Sequence, residues 1–444
     1  MSDSPFATAP LDPSEKPVLD SILIIRDKLL LLKQDKSTYV KSQDVLPLYE
    51  QVIEQVSKLN GIRKEGQKQL ELNRVDTVLD DCFQLISLFF LTIGRNNEAP
   101  AVYSMASTIN RLLDHLKEAA FYSQKDLVSM GQTLDNMTET VERGKLTYSP
   151  HLVTLLEARM QTCKNQLAEL QEYLKKIDPG LVPTWEKLVS LLRSAAALNT
   201  RSKFAKTELE QLRAQLLEIQ ATMKDGKLPA EDGSIPERQD LVVPLLERCL
   251  LWCDIIEEKR GKIDERFQDT YDKLIEIRNH LEKLTMTQAW SLRETDLYMW
   301  QRKLDRIDDS RRGGNFLDTE GKPADLHTQR TMLYLLRRGY AYIYQLLISS
   351  EPVSEALLPI YNQLMTLRRC LLEVKKSGGV SNPRELYPYS MKLNSIDNMR
   401  VDGKFTIGKD IPEGQGNVIG LLSECYDLAY ELRTAAEDDA DDSD

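Results

Sequence analysis

The chain of 444 residues is poor in the side chains that usually carry chemistry, with four histidines, six cysteines and four tryptophans. No H-E-x-x-H, Ser/His/Asp or other nucleophile signature occurs, which leaves no catalytic set to assign. No apolar run approaches the ~18 residues that a bilayer-spanning helix needs. The most apolar window, Phe83 to Ile93 (FQLISLFFLTI), suits a buried helix. The N-terminus, MSDSPFATAPLDPSEKP, lacks the basic start and apolar stretch of a secretion signal and reads as a disordered leader. Basic clustering is also lacking. The net charge is −11, and six of those charges lie in the last eight residues, EDDADDSD, so the remainder carries about −5. Counterion release requires clustered Lys and Arg, so neither sequence-specific nucleic-acid binding nor an anionic membrane surface is expected.

What is present is helix-forming sequence. Glycine is scarce at 20 residues, while charged residues make up 29% and hydrophobic residues 41%, the profile of a soluble, helix-rich protein. Apolar residues recur at alternating spacings of four and three at Leu156, Met160, Cys163, Leu167, Leu170 and Leu174. The same spacing recurs at Ala205, Leu209, Leu212, Leu216, Ile219 and Met223. Each stripe spans under three heptads, which favours burial of one face inside a bundle over a free coiled coil. The six cysteines (Cys82, Cys163, Cys249, Cys253, Cys370, Cys425) fall at apolar helix positions and are expected to be reduced and buried.

Internal similarity sets the organisation. DSILIIRDKLLLL from Asp20 matches DKLIEIRNHLEKL from Asp272, with Arg26 on Arg278 and Leu29 on Leu281. EAPAVYSMASTINRLLDHL from Glu98 matches EALLPIYNQLMTLRRCLLEV from Glu355, with Tyr103 on Tyr361 and Arg111 on Arg369. VVPLLERCLLWCDII from Val242 belongs to a weaker middle copy. These matches predict an all-α fold of tandem antiparallel helical bundles, three repeated four-helix units. The expected divisions are a disordered leader (1–16), helical units at 17–147, 148–262 and 263–380, a hairpin with a final amphipathic helix docked on the body (381–436), and a disordered acidic tail (437–444). The first unit carries an extra helix near 124–143. Two long polar loops, DGKLPAEDGSIPERQD from Asp225 and SRRGGNFLDTEGKPAD from Ser310, read as flexible.

The segment GKFTIGKD, residues 403–410, has the outline of a phosphate-binding loop. It lacks the preceding buried strand, Pro412 and Gly414 block the helix that should follow, and Asp410 stands where a hydroxyl should hold magnesium. Asp402-Gly403 instead reads as a two-residue hairpin turn, with Phe405 and Ile407 as the side chains that dock. The final helix is expected from about Val418 to Ala435. The stretch YPYSMKLNSIDNMRVDGKFTIGKDIPEGQGNVIGLLSECYDLAYEL, from Tyr387, resembles the C-terminal block of a fungal family of uncharacterised proteins (a UPF group) that carry a repeated domain of unknown function. The resemblance implies a soluble protein of cytoplasm and nucleus, and it supplies no catalytic residues.

Two candidate sites remain. Cys249 and Cys253 share one helix face and could hold a soft metal, although two ligands do not complete a zinc site and the plainer role is as small core residues. Arg337, Arg338, Arg368 and Arg369, with Lys375 and Lys376, lie on consecutive predicted helices and could form a basic patch for a phosphopeptide, an inositol phosphate, an acidic peptide or the chain's own acidic tail. The plainer role is a solvated face paired with local carboxylates. The histidines read as structural or solvated. On this pattern the chain is a non-enzymatic scaffold or adaptor that binds other proteins without a cofactor. The alternative is a regulatory ligand-binding protein that uses the basic patch or the cysteine pair.

Overall fold

The computed structural model describes residues 10–65, 72–201 and 206–441. Within them the chain is all-α, with fifteen α-helices and one two-stranded hairpin. Contacts gather into two compact units. A central unit holds Met105–Thr285 and Met299–Ile348. A terminal unit holds, of the described residues, those up to Ser104, Met286–Tyr298 and those from Ser349 on. This grouping differs from three tandem divisions, because segments distant in sequence share a unit and the helices pack in threes.

In the terminal unit, α1 (Lys16–Gln34), α2 (Ser42–Glu65) and α3 (Arg74–Thr92) pack on one another, as do α13 (Leu358–Lys376), α14 (Tyr387–Asp397) and α15 (Gln415–Asp441). The central unit builds the other threes from α5 (Gln124–Gly144), α6 (Pro150–Leu174), α7 (Val182–Asn199), α8 (Lys206–Ala221), α9 (Val242–Lys259) and α12 (Leu326–Ile348), with most of α4 (Val102–Ala119), α10 (Gln268–Ser291) and α11 (Leu297–Asp309). Apolar residues of α7, α8 and α9 form one core around Trp185 and Trp252. Those of α13, α14 and α15 form another around Leu364 and Leu422. The helix expected near 124–143 is thus a member of a three rather than an extra.

Two local devices recur. The first begins a helix: Asp12, Asp178, Asp264 and Asn382 each accept a hydrogen bond from the backbone N–H two residues on, at 2.9 to 3.1 Å. These side chains close a short turn that leads into α1, α7, α10 and α14. The second is a glutamine clamp at the start of α9, α12 and α15, with Gln239 just before α9, Gln329 in the first turn of α12 and Gln415 opening α15. Gln239 accepts from Leu228 N–H at 3.1 Å and donates to Leu228 O at 3.0 Å. Gln329 does the same to Phe316 at 3.0 and 2.8 Å, and Gln415 to Phe405 at 2.9 and 2.7 Å. A carboxamide carries one acceptor and a pair of donors, so it satisfies both backbone groups as a neighbouring strand would. The clamped residues Leu228, Phe316 and Phe405 are buried. The two polar loops that read as flexible are therefore pinned at their roots.

The third clamp holds the hairpin. β1 (Arg400–Val401) pairs antiparallel with β2 (Lys404–Phe405), and Asp402 and Gly403 turn the chain at φ of 50° and 77°, as a type I′ turn requires. Phe405 docks as expected, whereas Ile407 is 40% exposed, because the loop turns outward through an isolated bridge between Ile407 and Asp410.

A small residue marks where the third helix of a three crosses a neighbour. Cys82 Sγ donates to Ile22 O at 3.7 Å, Cys249 to Leu188 O at 3.7 Å and Cys425 to Leu364 O at 3.5 Å. Cys163 does so to Ala106 O at 3.7 Å. At the matching place in α12 stands Gly339, where an added Cβ would sit 2.9 Å from Leu304 Cδ2. Five of the six cysteines are buried, and Cys370 is exposed. At the ends, residues 1–9 of the leader lie outside the described residues, and Pro13–Glu15 forms a 3-10 turn. The last helix continues to Asp441, beyond its expected end, so part of the tail is helical and 442–444 lie outside the described residues.

Candidate functional site

The basic residues singled out from the sequence fall in two units. Arg337 and Arg338 lie on α12 of the central unit, the others on α13 of the terminal unit. Most have a local partner. Arg337 Nη2 stands 3.5 Å from Glu118 Oε2. Arg338 stacks 4.2 Å from the Tyr342 ring centre and donates to its hydroxyl at 3.0 Å. Arg368 pairs with Glu424 at 2.7 Å, Lys375 with Glu431 at 2.6 Å and Lys376 with Glu373 at 3.8 Å. Arg369 is exposed. Exposed pairs of this kind are worth ~0–1 kcal/mol each.

Cys249 and Cys253 are buried in the α7–α9 core. Burial pushes their thiols up to about 12 and about 11. Among the described residues no group of three or more His, Cys, Asp or Glu is placed to hold a metal ion. At the hairpin, Asp410 accepts the Tyr39 hydroxyl at 2.6 Å, so its carboxylate is engaged by a phenol.

Three features that the sequence did not single out stand out. The first is a charged cleft of about 410 Å³ in the central unit, formed by α4, α11 and the loop after α11. Arg111, His115 and Glu118 project from one face of α4, being spaced by four and three residues. His115 Nε2 lies 3.1 Å from Asp308 Oδ2, and its Nδ1 lies 3.4 Å from Glu118 Oε2. Arg311 joins Asp308 and Glu118, each at 2.8 Å. Arg111 reaches Asp309 at 2.8 Å and Asp308 at 3.4 Å. Tyr340 of α12 donates to Asp305 at 2.8 Å. Burial alone would raise Asp308, but His115, Arg311 and Arg111 hold it at about 2. Glu118, likewise opposed by burial, is held at about 2 by His115, Arg311 and Arg337. Both are carboxylates at neutral pH, with every oxygen facing a cation, and the arrangement locks helices together.

The second feature is a buried acid in the terminal unit. Glu294 sits in the turn Glu294–Asp296 and accepts from Ser350 Oγ at 2.9 Å and Thr92 Oγ1 at 3.3 Å. Burial pushes its carboxyl up, and nearby Glu355 adds to the rise. Glu355 itself is held by Arg293 at 2.7 and 3.0 Å.

The third is a groove of about 760 Å³ between α14 and α15. Tyr387 and Tyr430 line it while remaining 65% and 62% exposed, and Met391, one turn beyond Tyr387, is 52% exposed. Leu386 and Ala429 form part of its floor, and Arg384 and Arg433 stand at its sides. Arg433 lies 5.3 Å from the Tyr430 ring centre. Sequence reading passed over α14 because Pro388, Ser390 and Asn394 interrupt any apolar run. Its signal was the proline at the first helical turn after the Asn382 cap.

Comparison with known proteins returns one family and close relatives. The family described as "Protein of unknown function (DUF2408)" matches residues 174–294 and 350–444, the second stretch including the groove. A CUB1 family protein of Schizosaccharomyces pombe is 39% identical over 98% of this chain and 95% of its own length. The Cu(2+) suppressing and bleomycin sensitive protein 1 of Saccharomyces cerevisiae is 38% identical over 97% of this chain and 91% of its own. No solved structure matches.

Proposed function

The chain belongs to the CUB1 family of DUF2408 proteins, and from that premise we propose that it is a non-enzymatic scaffold that binds other proteins in cytoplasm and nucleus. The observation that carries this reading is the α14–α15 groove, where Tyr387 and Tyr430 stay open to solvent, with the exposed Met391 one turn along α14. Exposed Tyr, Met and Arg are the side chains most enriched at protein interfaces, since rigid aromatics bury much area at little entropic cost. Arg384 and Arg433 select the occupant: a peptide segment of a partner that places an apolar anchor between the tyrosines and acidic residues beside the guanidiniums. No helix among the described residues is long and apolar enough to cross a membrane, which agrees with a protein partner. The copper in the Saccharomyces relative's name points to Cys249 and Cys253, but burial and the Cys249 bond to Leu188 O support a packing role for them.

The test is a comparison of the full chain with its Tyr387→Ala/Tyr430→Ala variant. Stoichiometric partners recovered with the wild type should be lost with the variant, and an acidic-apolar peptide from such a partner should bind the wild type alone. Recovery of the same partners with both proteins, or of a bare monomer with the wild type, refutes the reading.

A further inference from the structure

Guanidinium groups withdrawn from water normally meet a carboxylate, because an unpaired charge is costly to desolvate. The central unit holds two partly buried arginines that do not. Arg248 on α9 donates Nη1 to Ala119 O at 3.0 Å and lies 4.9 Å from the Phe121 ring centre. Arg330 on α12 lies 5.4 Å from the Trp252 ring centre, and its Nη1 is buried without a hydrogen-bond partner. Among the described residues no carboxylate comes within ion-pair distance of either. Burial lowers both groups, and the charge of Arg248 lowers Arg330 further. Arg337 stands two turns after Arg330 on the same face of α12 and reaches Glu118 at 3.5 Å, the residue before the Ala119 whose carbonyl holds Arg248. Its acidic neighbour Glu118 is already engaged at 2.8 Å by Arg311.

Like charges held together by the fold, with aromatic floors beneath them, leave an imbalance that a ligand can settle. A guanidinium stacked on a ring keeps its in-plane donors free. One fork pairs with two acceptor oxygens, so several converging forks suit a phosphate group, which has more oxygens to offer than a carboxylate. We propose that Arg248, Arg330 and Arg337 form an anion site that takes the phosphate groups of a small phosphorylated molecule. The site lies in the central unit and is independent of the α14–α15 groove, so either can fail without the other.

Inorganic pyrophosphate is the probe, titrated calorimetrically into the full chain against sodium chloride of equal ionic strength. The wild type should bind it at one site, and Arg248→Gln/Arg330→Gln should bind about tenfold more weakly, the loss of charge-assisted hydrogen bonds. In pyrophosphate-free buffer the same variant should melt no lower than the wild type, because the repulsion is gone. Should the double variant not fold, Arg330→Lys keeps the charge, loses the fork and should still weaken binding several-fold. No heat beyond that of chloride, or equal affinity in wild type and variant, overturns the proposal. A phosphoserine peptide held tenfold more tightly than pyrophosphate overturns the small-molecule assignment.

Discussion

The two units bury carboxylates in opposite ways. In the central unit Asp308 and Glu118 are surrounded by His115, Arg111, Arg311 and Arg337 and are held at about 2. In the terminal unit Glu294 meets two hydroxyls and a backbone N–H, with no cation among its hydrogen-bond partners, and is pushed upward. Burial is common to both, so counter-charge decides the protonation state. The difference separates a lock that needs charge from a core that works best without it. It also sets opposite pH signs. A depressed carboxylate contributes stability above its unfolded pKa and loses it as pH falls toward its folded value. A raised carboxylate contributes below its unfolded pKa and loses it as pH rises through its folded value.

The comparison can be broken most severely at Asp308. Asp308→Ala leaves Arg311, Arg111 and His115 without their shared anion and should cost ~3–5 kcal/mol, read by urea unfolding at neutral pH; a loss below ~1 kcal/mol would mean that solvent already screens the lock. The clamps come next. Gln415→Ala strips Phe405 of both backbone partners and should cost ~1–3 kcal/mol, and hydrogen exchange should quicken at the Phe405 amide while the Leu228 amide keeps its protection. Glu294→Gln sharpens the contrast in sign: the variant should gain on the wild type as pH rises from acidic to neutral, and parallel stability curves would show that Glu294 is not raised. Smallest in stability is Tyr387→Ala/Tyr430→Ala, expected within ~0.5 kcal/mol of wild type, although it should abolish partner binding.

Helices and core were legible because apolar spacing is local. Leu156, Met160, Cys163, Leu167 and Leu170 are all buried as their period requires, and the Asp402-Gly403 turn followed from the backbone angles that only certain residues tolerate. The packing in threes was written in the sequence as well. VLDDC before Phe83, LLERC before Leu250, LLRRG before Tyr340 and LLSEC before Tyr426 mark the same crossing, but similarity between α4 and α13 drew attention to a different register. The charged lock was not legible, since His115 and Asp308 are 193 residues apart and nothing local pairs them. Nor were the clamps, in which Gln329 reaches back 13 residues. The groove was missed for a different reason, because a short polar helix declares itself only by what it leaves uncovered.

The glutamine clamps fasten only the base of each loop, and the spans they close already differ, at 11, 13 and 10 residues. Beyond the tie, a side chain added at Gly233 or Gly321 would meet nothing within 4 Å. A fluorescent reporter or an affinity handle grafted at either tip would therefore hang clear of the body, and a cell biologist could follow this protein without disturbing its folded parts.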